Sequence, residues 1–371
     1  MMQINGLGGK PLPSISDLQG MEALQNRCDV ACVGEALYDC IALDESNGMT
    51  ANQLLESGQF VKLPGGAPTN VACALKNLGV HSMFCGAMGD DKDGQELQQM
   101  LSSKGVETVL SVHENPTRRV MVTRDNQGER QFSGFAGGMK SSEYADCHYK
   151  PAVSSEWVAN CASLAIVSGT LGLAYDGPTS IFIDKLARIM KSKPLTNKSP
   201  LFVVDMNVRN VFWDNPDMDE KEIRQAHVDF ASQADIIKLT DEEAEWTLGI
   251  PPATALAQPE LVTAALNARV GVLVTAGEKG AAFHIKGVGS GRSSGFDVTA
   301  IDTTGAGDAF TAGFLTGVSI DRDAALTTPE GAQRALVMGC AAGALTCTKI
   351  GAIEAQPTLQ DILALMLDVK V

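Results

Sequence analysis

The chain has 371 residues, 44% of them apolar, with a formal net charge of −15 and nine cysteines. That length suits one large α/β domain or two small ones. The acidity argues against nucleic acid and anionic membrane as partners, and no run stays apolar long enough to cross a bilayer. The cysteines are scattered, several in apolar runs such as Val71–Leu75, which reads as buried thiols of a reducing compartment. Cys28 and Cys32 have no second pair or histidine cluster with which to build a zinc site.

Residues 1–27 carry Gly, Pro and Ser without a period and read as an extension outside the fold. They lack the Arg and Ser richness of a processed targeting segment. Val30–Gly34 is a short strand uninterrupted by polar residues, as in a parallel sheet covered on both faces. It runs into Glu35-Ala-Leu-Tyr-Asp39 and would leave Asp39 just past its end, where α/β folds place ligand groups. Gly65 and Gly66 form a loop that permits close approach of a ligand. A helix then begins at Pro68-Thr69-Asn70 and stops at Gly79. Asn70 is either a cap or a partner for the hydroxyls of a polyol. Met83–Gly89 is a second buried strand, and Asp91 caps a helix that ends near Gly105.

Between residues 117 and 136 the character changes. Arg119–Arg124 and Glu129–Gly134 flank Asp125-Asn-Gln-Gly128, a hairpin signal. A hairpin inside a βα alternation makes a small accessory sheet, expected to serve as a lid over a site or as a dimer contact. From residue 160, strands at Leu164–Ser168, Leu201–Asp205, Ile236–Leu239 and Val270–Thr275 alternate with helices near 176–191, 220–232, 241–248 and 259–267. That is the pattern of a doubly wound parallel sheet. A β-prone run, Phe296–Ala300, leads into Ile301–Phe310 and an apolar helix reaching about Gly317. Helices near 329–346 and 358–369 close the chain.

The chemistry concentrates at that last junction. Gly305, Ala306 and Gly307 open a helix whose first N–H groups are unpaired and whose dipole is positive, which makes an anion seat. Asp308 follows in the first turn. A carboxylate there holds an anion poorly, but it can take a proton from a nucleophile attacking that anion. Phosphoryl transfer with Asp308 as base is the reading. The dipole is expected to keep the Asp308 pKa low, which a loose transition state tolerates. Asp241, Glu242 and Glu243 crowd another helix start, either as dipole-favoured residues or with one carboxylate addressing a magnesium–phosphate unit through water. Arg209, at a strand end after Asp205-Met-Asn-Val, suits a sugar or phosphate contact. Thr275-Ala-Gly277-Glu-Lys-Gly280 is a tight turn between strands. The Walker A pattern and the protein-kinase catalytic set are both absent, so the Gly305–Gly307 seat must do the Walker loop's work.

Asp302-Thr-Thr-Gly-Ala-Gly-Asp-Ala-Phe310 resembles the C-terminal signature of the PfkB (ribokinase-like) sugar kinases, and the stretch from Gly65 to Gly79 resembles the N-terminal one. Asp205-x-Asn-x-Arg209 with Trp213 is similar to the fructokinase branch. The resemblance spans about residues 29 to 370. It implies a Rossmann-like α/β/α sandwich with a mostly parallel sheet, one kinase domain over 28–371, and a small β lid from segments about 37–64 and 117–138. It implies ATP and Mg2+ as cofactors. Asp39, Gly65, Gly66, Asn70 and Arg209 would hold the sugar. Mg-ATP would lie across Thr240, Glu243, Thr275, Gly277, Gly280 and Gly343, with Glu243 reaching Mg2+ through water. Thr240 stands where many members have Asn, and Cys340 where many fructokinases have Asn before the closing Gly-Ala. Carbonyls near Asp302 and Thr304 are where the family often binds a monovalent cation such as K+.

The expected activity is transfer of the γ-phosphoryl group of ATP to fructose in the cytoplasm, or in a plastid if residues 1–27 are a targeting remnant. Ribose, 2-keto-3-deoxygluconate and nucleosides are alternative acceptors. A sugar phosphate is another, for which Arg118, Arg119 and Arg124 offer charge. A non-catalytic assembly partner is a further alternative, against which the intact Gly-Ala-Gly-Asp argues. A dinucleotide-dependent oxidoreductase fails for want of Gly-x-Gly-x-x-Gly after the first strand.

Overall fold

A computed structural model describes residues 27–43, 49–124, 130–213 and 218–368. The strands are β1 (Cys28–Val33), β2 (Leu37–Ala42), β3 (Phe60–Gly65), β4 (Ser82–Gly89), β5 (Glu107–His113), β6 (Arg119–Arg124), β7 (Arg130–Phe135), β8 (Ala162–Gly169), β9 (Leu201–Asp205), β10 (Ile236–Thr240), β11 (Gly271–Thr275), β12 (Ala281–Ile285) and β13 (Gly289–Ser293). The first helices are α1 (Ala51–Ser57), α2 (Ala67–Asn77), α3 (Lys92–Ser103), α4 (Ser155–Cys161), α5 (Pro178–Ser192), α6 (Glu220–Ala231) and α7 (Asp241–Leu248). They are followed by α8 (Pro252–Ala257), α9 (Pro259–Leu266), α10 (Ala306–Ile320), α11 (Arg322–Thr327), α12 (Pro329–Thr346) and α13 (Leu359–Asp368).

A nine-stranded sheet runs in the order β13-β12-β11-β10-β9-β8-β1-β4-β5. It is parallel from β5 to β11, and β12 and β13 continue it antiparallel. The central strands β1, β4 and β8 to β11 are largely apolar because both faces are covered. Val30 and Cys32 pack with α2, α3 and α10–α13 on one side. Ala31 and Val33 pack with α4–α9 on the other. Alternation along each strand therefore decides which helical layer a side chain meets. The order reverses at β1, with β4 and β5 to one side and β8 to β11 to the other. Clefts form outside the carboxyl ends of strands at such a switch.

A second sheet, β3-β2-β6-β7, stands apart from the first. Here β2 pairs antiparallel with β3 and parallel with β6, and β6 pairs antiparallel with β7. The expected hairpin is present, although its tip, Asp125–Gly128, lies outside the described residues, as does most of the N-terminal extension. Two sequence expectations are corrected. Asp39 is not in a loop after β1. It sits inside β2, opposite Leu63 and Val120, because the chain turns at Gly34 and at once begins the small sheet. Phe296–Ala300 is not a strand, since β13 already forms the sheet edge and this segment crosses to α10 as irregular chain.

The small sheet is tied to the body by Arg118, which is 2% exposed. Its guanidinium donates to both Asp146 oxygens at 2.6 and 2.8 Å, and to the Ser141 hydroxyl and carbonyl at 2.6 and 2.8 Å. Phe135, Tyr144 and Phe212 surround it. Lys62 and Arg119 both pair with Asp93 on α3. Among the described residues no helix is long and apolar enough to cross a membrane. Arg118→Met would strand the buried Asp146 carboxylate without its counter-charge. A loss of about 3–5 kcal/mol is expected, read as a lower denaturant midpoint, whereas an unchanged midpoint would show that the pair carries no anchoring role.

Candidate active site

The carboxyl ends of β1, β9 and β10 meet the first turn of α10. Gly305 caps that helix at φ 75°, with no side chain bonded to its N-terminus. Ala306 N–H turns back to the Thr303 carbonyl at 3.2 Å, and Ala309 N–H makes the first intrahelical bond, to Gly305 at 2.8 Å. The N–H groups of Gly307 and Asp308 thus lack an intrahelical acceptor and face the helix mouth. Of the three N–H groups in the expected seat's first turn, that of Ala306 is engaged and, among the described residues, those of Gly307 and Asp308 are not.

Asp308 is joined across the cleft to α2: Asn70 Nδ2 donates to its Oδ2 at 2.8 Å. Burial pushes the Asp308 carboxyl above its ordinary value, and the Asn70 bond with the charges of Lys238 and Arg209 pulls it only part of the way back. The sequence-based expectation of a low pKa is thus reversed, because desolvation outweighs the helix dipole. The Asn70 Oδ1 atom is buried without a partner among the described residues.

Asp39, Gly65, Gly66 and Asn70 lie together at the start of α2. Gly66 caps α2 at φ 100°, a conformation suited to glycine, and a Cβ there would lie 2.5 Å from the Glu35 carbonyl. A Cβ on Gly65 would lie 2.8 Å from Asp39 Oδ2, so Asp39 leans from β2 onto this loop. Gln356 Nε2 donates to the Asn70 carbonyl at 2.8 Å and fixes the same turn from the C-terminal segment. Arg209 stays at the rim, 55% exposed, with Nη1 4.0 Å from Glu243.

On the other flank, Thr240 and Glu243 form a capping box. Thr240 Oγ1 accepts from Glu243 N at 3.0 Å, and Glu243 Oε2 accepts from Thr240 N at 2.9 Å. Glu243 Oε1 also accepts from Val208 N at 2.8 Å, tying the loop after β9 to α7. A hollow beside it is lined by Val208, Arg209, Thr240, Glu242, Glu243 and Trp246. Thr275 ends β11, Gly277 and Gly280 frame the turn to β12, and Gly343 on α12 lies behind α10, its Cβ position 3.1 Å from the Ala306 carbonyl. Asp302 accepts from Thr304 N and Oγ1 at 2.9 and 2.6 Å and from Gly351 N at 3.0 Å, which ties the loop before α10 to the loop after α12.

The model of the pfkB family carbohydrate kinases matches residues 28–359. The chain belongs to the PfkB family. Probable fructokinase-5 of Arabidopsis thaliana is 31% identical over 91% of this chain and 97% of its own. A fructokinase of Xylella fastidiosa solved with bound ATP superposes with a TM-score of 0.74 at 26% identity, covering 92% of this chain and 98% of that one. A fructokinase of Vibrio cholerae O395 solved with fructose, ADP and calcium superposes at 0.71 with 25% identity, covering 91% and 98%. As a PfkB member the protein is an ATP-dependent carbohydrate kinase, with the ribokinase-like sheet and lid described above.

Two residues of this PfkB site carry no role in the sequence reading. Lys238 is 5% exposed, with Nζ 3.1 and 3.0 Å from the two Asp205 oxygens. The signal was a lysine inside the apolar run Ile236–Leu239 beside a strand ending in aspartate. Glu35, 5% exposed, anchors the sugar-side loop: its Oε1 accepts from Ala67 N at 3.0 Å and its carbonyl from Thr69 Oγ1 at 2.9 Å. Burial first, then the charges of Asp146 and Asp308, push its carboxyl up to about 7 against two backbone N–H bonds.

Because that value lies above an unfolded glutamate's, Glu35 favours folding at low pH. The contribution is lost as pH rises from roughly 4.3 through the folded-state value. Glu35→Gln keeps an acceptor for Ala67 but cannot ionise. Its Tm gain over the wild type is expected to be larger at pH 8 than at pH 5. A difference independent of pH would contradict the ionisation.

Proposed function

We propose that the protein transfers the γ-phosphoryl group of ATP to a primary hydroxyl of an uncharged ketose, with fructose as the leading acceptor and Asp308 as the proton acceptor. The observation that carries this reading is the Asn70–Asp308 hydrogen bond. It supports the reading by joining the Asp308 carboxylate at the helix mouth to the turn that begins α2. Asp39, Gly65, Gly66 and Asn70 offer carboxylate, backbone and amide groups to neutral hydroxyls, and the unpartnered Asn70 Oδ1 suits a hydroxyl donor. The backbone N–H groups at the α10 start stabilise charge on the transferring phosphoryl. A carboxyl raised by burial is a better base than one held low, while Asn70, Lys238 and Arg209 favour its ionised form.

An uncharged acceptor is favoured over a sugar phosphate by the state of the lid arginines. Arg118 is committed to Asp146 and Arg119 to Asp93, so neither is free to receive a second phosphate. The side chain of Arg124 lies outside the described residues. The names of the relatives, fructokinases at about one-third identity, support the same choice.

Among the described residues no group of three acidic, His or Cys side chains is arranged to hold a metal ion by itself. The site nonetheless fits a divalent cation carried in on the nucleotide. Asp205, Glu243 and Asp308 surround one buried ammonium, and the surplus negative charge suits Mg2+. Mg2+ would neutralise phosphate charge there, with Glu243 addressing it through water. For K+, the Asp302 carboxylate is engaged by N–H and hydroxyl donors, so the carbonyls of its loop would be the ligands.

Asp308→Asn retains the Asn70 contact geometry and the helix mouth while removing the base. A coupled ADP-release assay over fructose, ribose, 2-keto-3-deoxygluconate, adenosine and fructose 6-phosphate is expected to show the highest wild-type kcat/KM with fructose. The variant's kcat is expected to fall by at least about two orders of magnitude, with ATP binding kept. Turnover near the wild-type level would overturn the base assignment, and preference for fructose 6-phosphate would overturn the acceptor.

A further inference from the structure

Lys238 lies in the middle of the sheet, where a charge is costly to desolvate. Alternation along β10 turns Ile236 to the α10 side, and Lys238, two residues on, faces the same way. Along β9, Leu201 and Val203 face that side too, and so does Asp205. The register pairs Lys238 with Asp205 directly. Two charged side chains thus stand together beneath the first turn of α10.

A buried ion pair by itself has a structural explanation, but three features go beyond it. A Cβ on Gly307 would lie 2.9 Å from Lys238 Nζ, so the ammonium reaches the backbone of the anion seat itself. A side chain at Gly307 would push the ammonium from this position, which gives the glycine a reason independent of any ligand. An ammonium also has three donors, and among the described residues the two Asp205 oxygens are its only hydrogen-bond acceptors. One donor remains at the helix mouth. Finally, burial disfavours the charged amine, yet the carboxylates of Asp205, Glu243 and Asp308 together hold its pKa above the ordinary lysine value. The carboxylates favour the charged form, and together they leave the cluster short of positive charge.

We propose that Lys238, fixed by Asp205, is the buried cation of the phosphoryl seat and binds the terminal phosphate of the nucleotide together with the N–H groups of Gly307 and Asp308. Asp205 is a positioning residue: it aims the ammonium and touches no substrate. The proposal rests on the reading that the γ-phosphate sits at the α10 start, so its test must be separable from the role of Asp308.

The experiment is calorimetric titration of ATP and of ADP, without sugar, into the wild type, Asp205→Asn, and the double variant Asp205→Asn/Lys238→Met. Replacing both charges leaves no unpaired ion, so the fold is expected to survive, as buried pairs replaced by neutral residues commonly do. If the Met variant does not melt cooperatively, Asp205→Asn/Lys238→Gln carries the same measurement. Loss of a charge-assisted bond to the terminal phosphate is expected to weaken ATP at least about tenfold, with ADP nearly unchanged and Asp205→Asn intermediate. A double variant that keeps the wild-type ratio of ATP to ADP affinity overturns the role of Lys238. Asp308→Asn, titrated in parallel, is expected to keep that ratio. If it is active while Lys238 still sets the ratio, the base assignment fails and the cation stands.

Discussion

The site depends on one constraint: the first turn of α10 must press against the carboxyl edge of the sheet closely enough to meet the Lys238 ammonium. Gly307 meets the Lys238 ammonium and Gly305 meets Ala352 at distances that leave no room for a Cβ. Behind them α10 lies against α12 just as closely, a Cβ on Gly313 falling 2.6 Å from the Met338 carbonyl. The helix is therefore fixed in depth and rotation by backbone contact, and its unpaired N–H groups are aimed without help from a cap. This is preorganisation: the donors stand in place before a phosphate arrives, so little reorganisation is needed as charge develops.

The same closeness sets the electrostatics. Three carboxylates, Asp205, Glu243 and Asp308, share one buried ammonium and the rim guanidinium of Arg209. Burial raises Asp205 to about 6 and lifts Asp308 above its ordinary value, while Lys238 pulls both back. Such opposing effects leave the Asp308 carboxyl above the range of an exposed aspartate, which would suit it to accept a proton. Asn70 adds direction, since its amide is fixed on α2 and its carbonyl is held by Gln356. The loop that would bind sugar and the group that would deprotonate it are thus one hydrogen-bonded unit.

Much of this was legible in the chain. Uninterrupted apolar strands such as Phe202–Val204 can only belong to a sheet covered on both faces. The glycine-rich start of α10, with its unpaired N–H groups, was legible because backbone spacing there is a local property. Asp39 was misplaced because its run, Leu37–Ala42, is as apolar as the strand before it, and only tertiary pairing shows that the chain has entered a second sheet. The acidity of Asp308 was misjudged because a dipole can be read from a helix start, whereas desolvation depends on what packs above it. Lys238 went unassigned for a related reason. Its neighbour in sequence is Leu239, but its partner is Asp205, 33 positions away and brought alongside by strand register.

The central claim is that Asp308 takes the proton of a sugar hydroxyl while that hydroxyl attacks a phosphate seated at the α10 start. A crystal structure with fructose and a non-hydrolysable ATP analogue tests this most directly. The account predicts a primary hydroxyl oxygen within about 2.6–3.2 Å of the Asp308 carboxylate and in line with a γ-phosphate on the N–H groups of Gly307 and Asp308. A γ-phosphate bound away from that helix start, or a sugar whose hydroxyl faces another base, would contradict it.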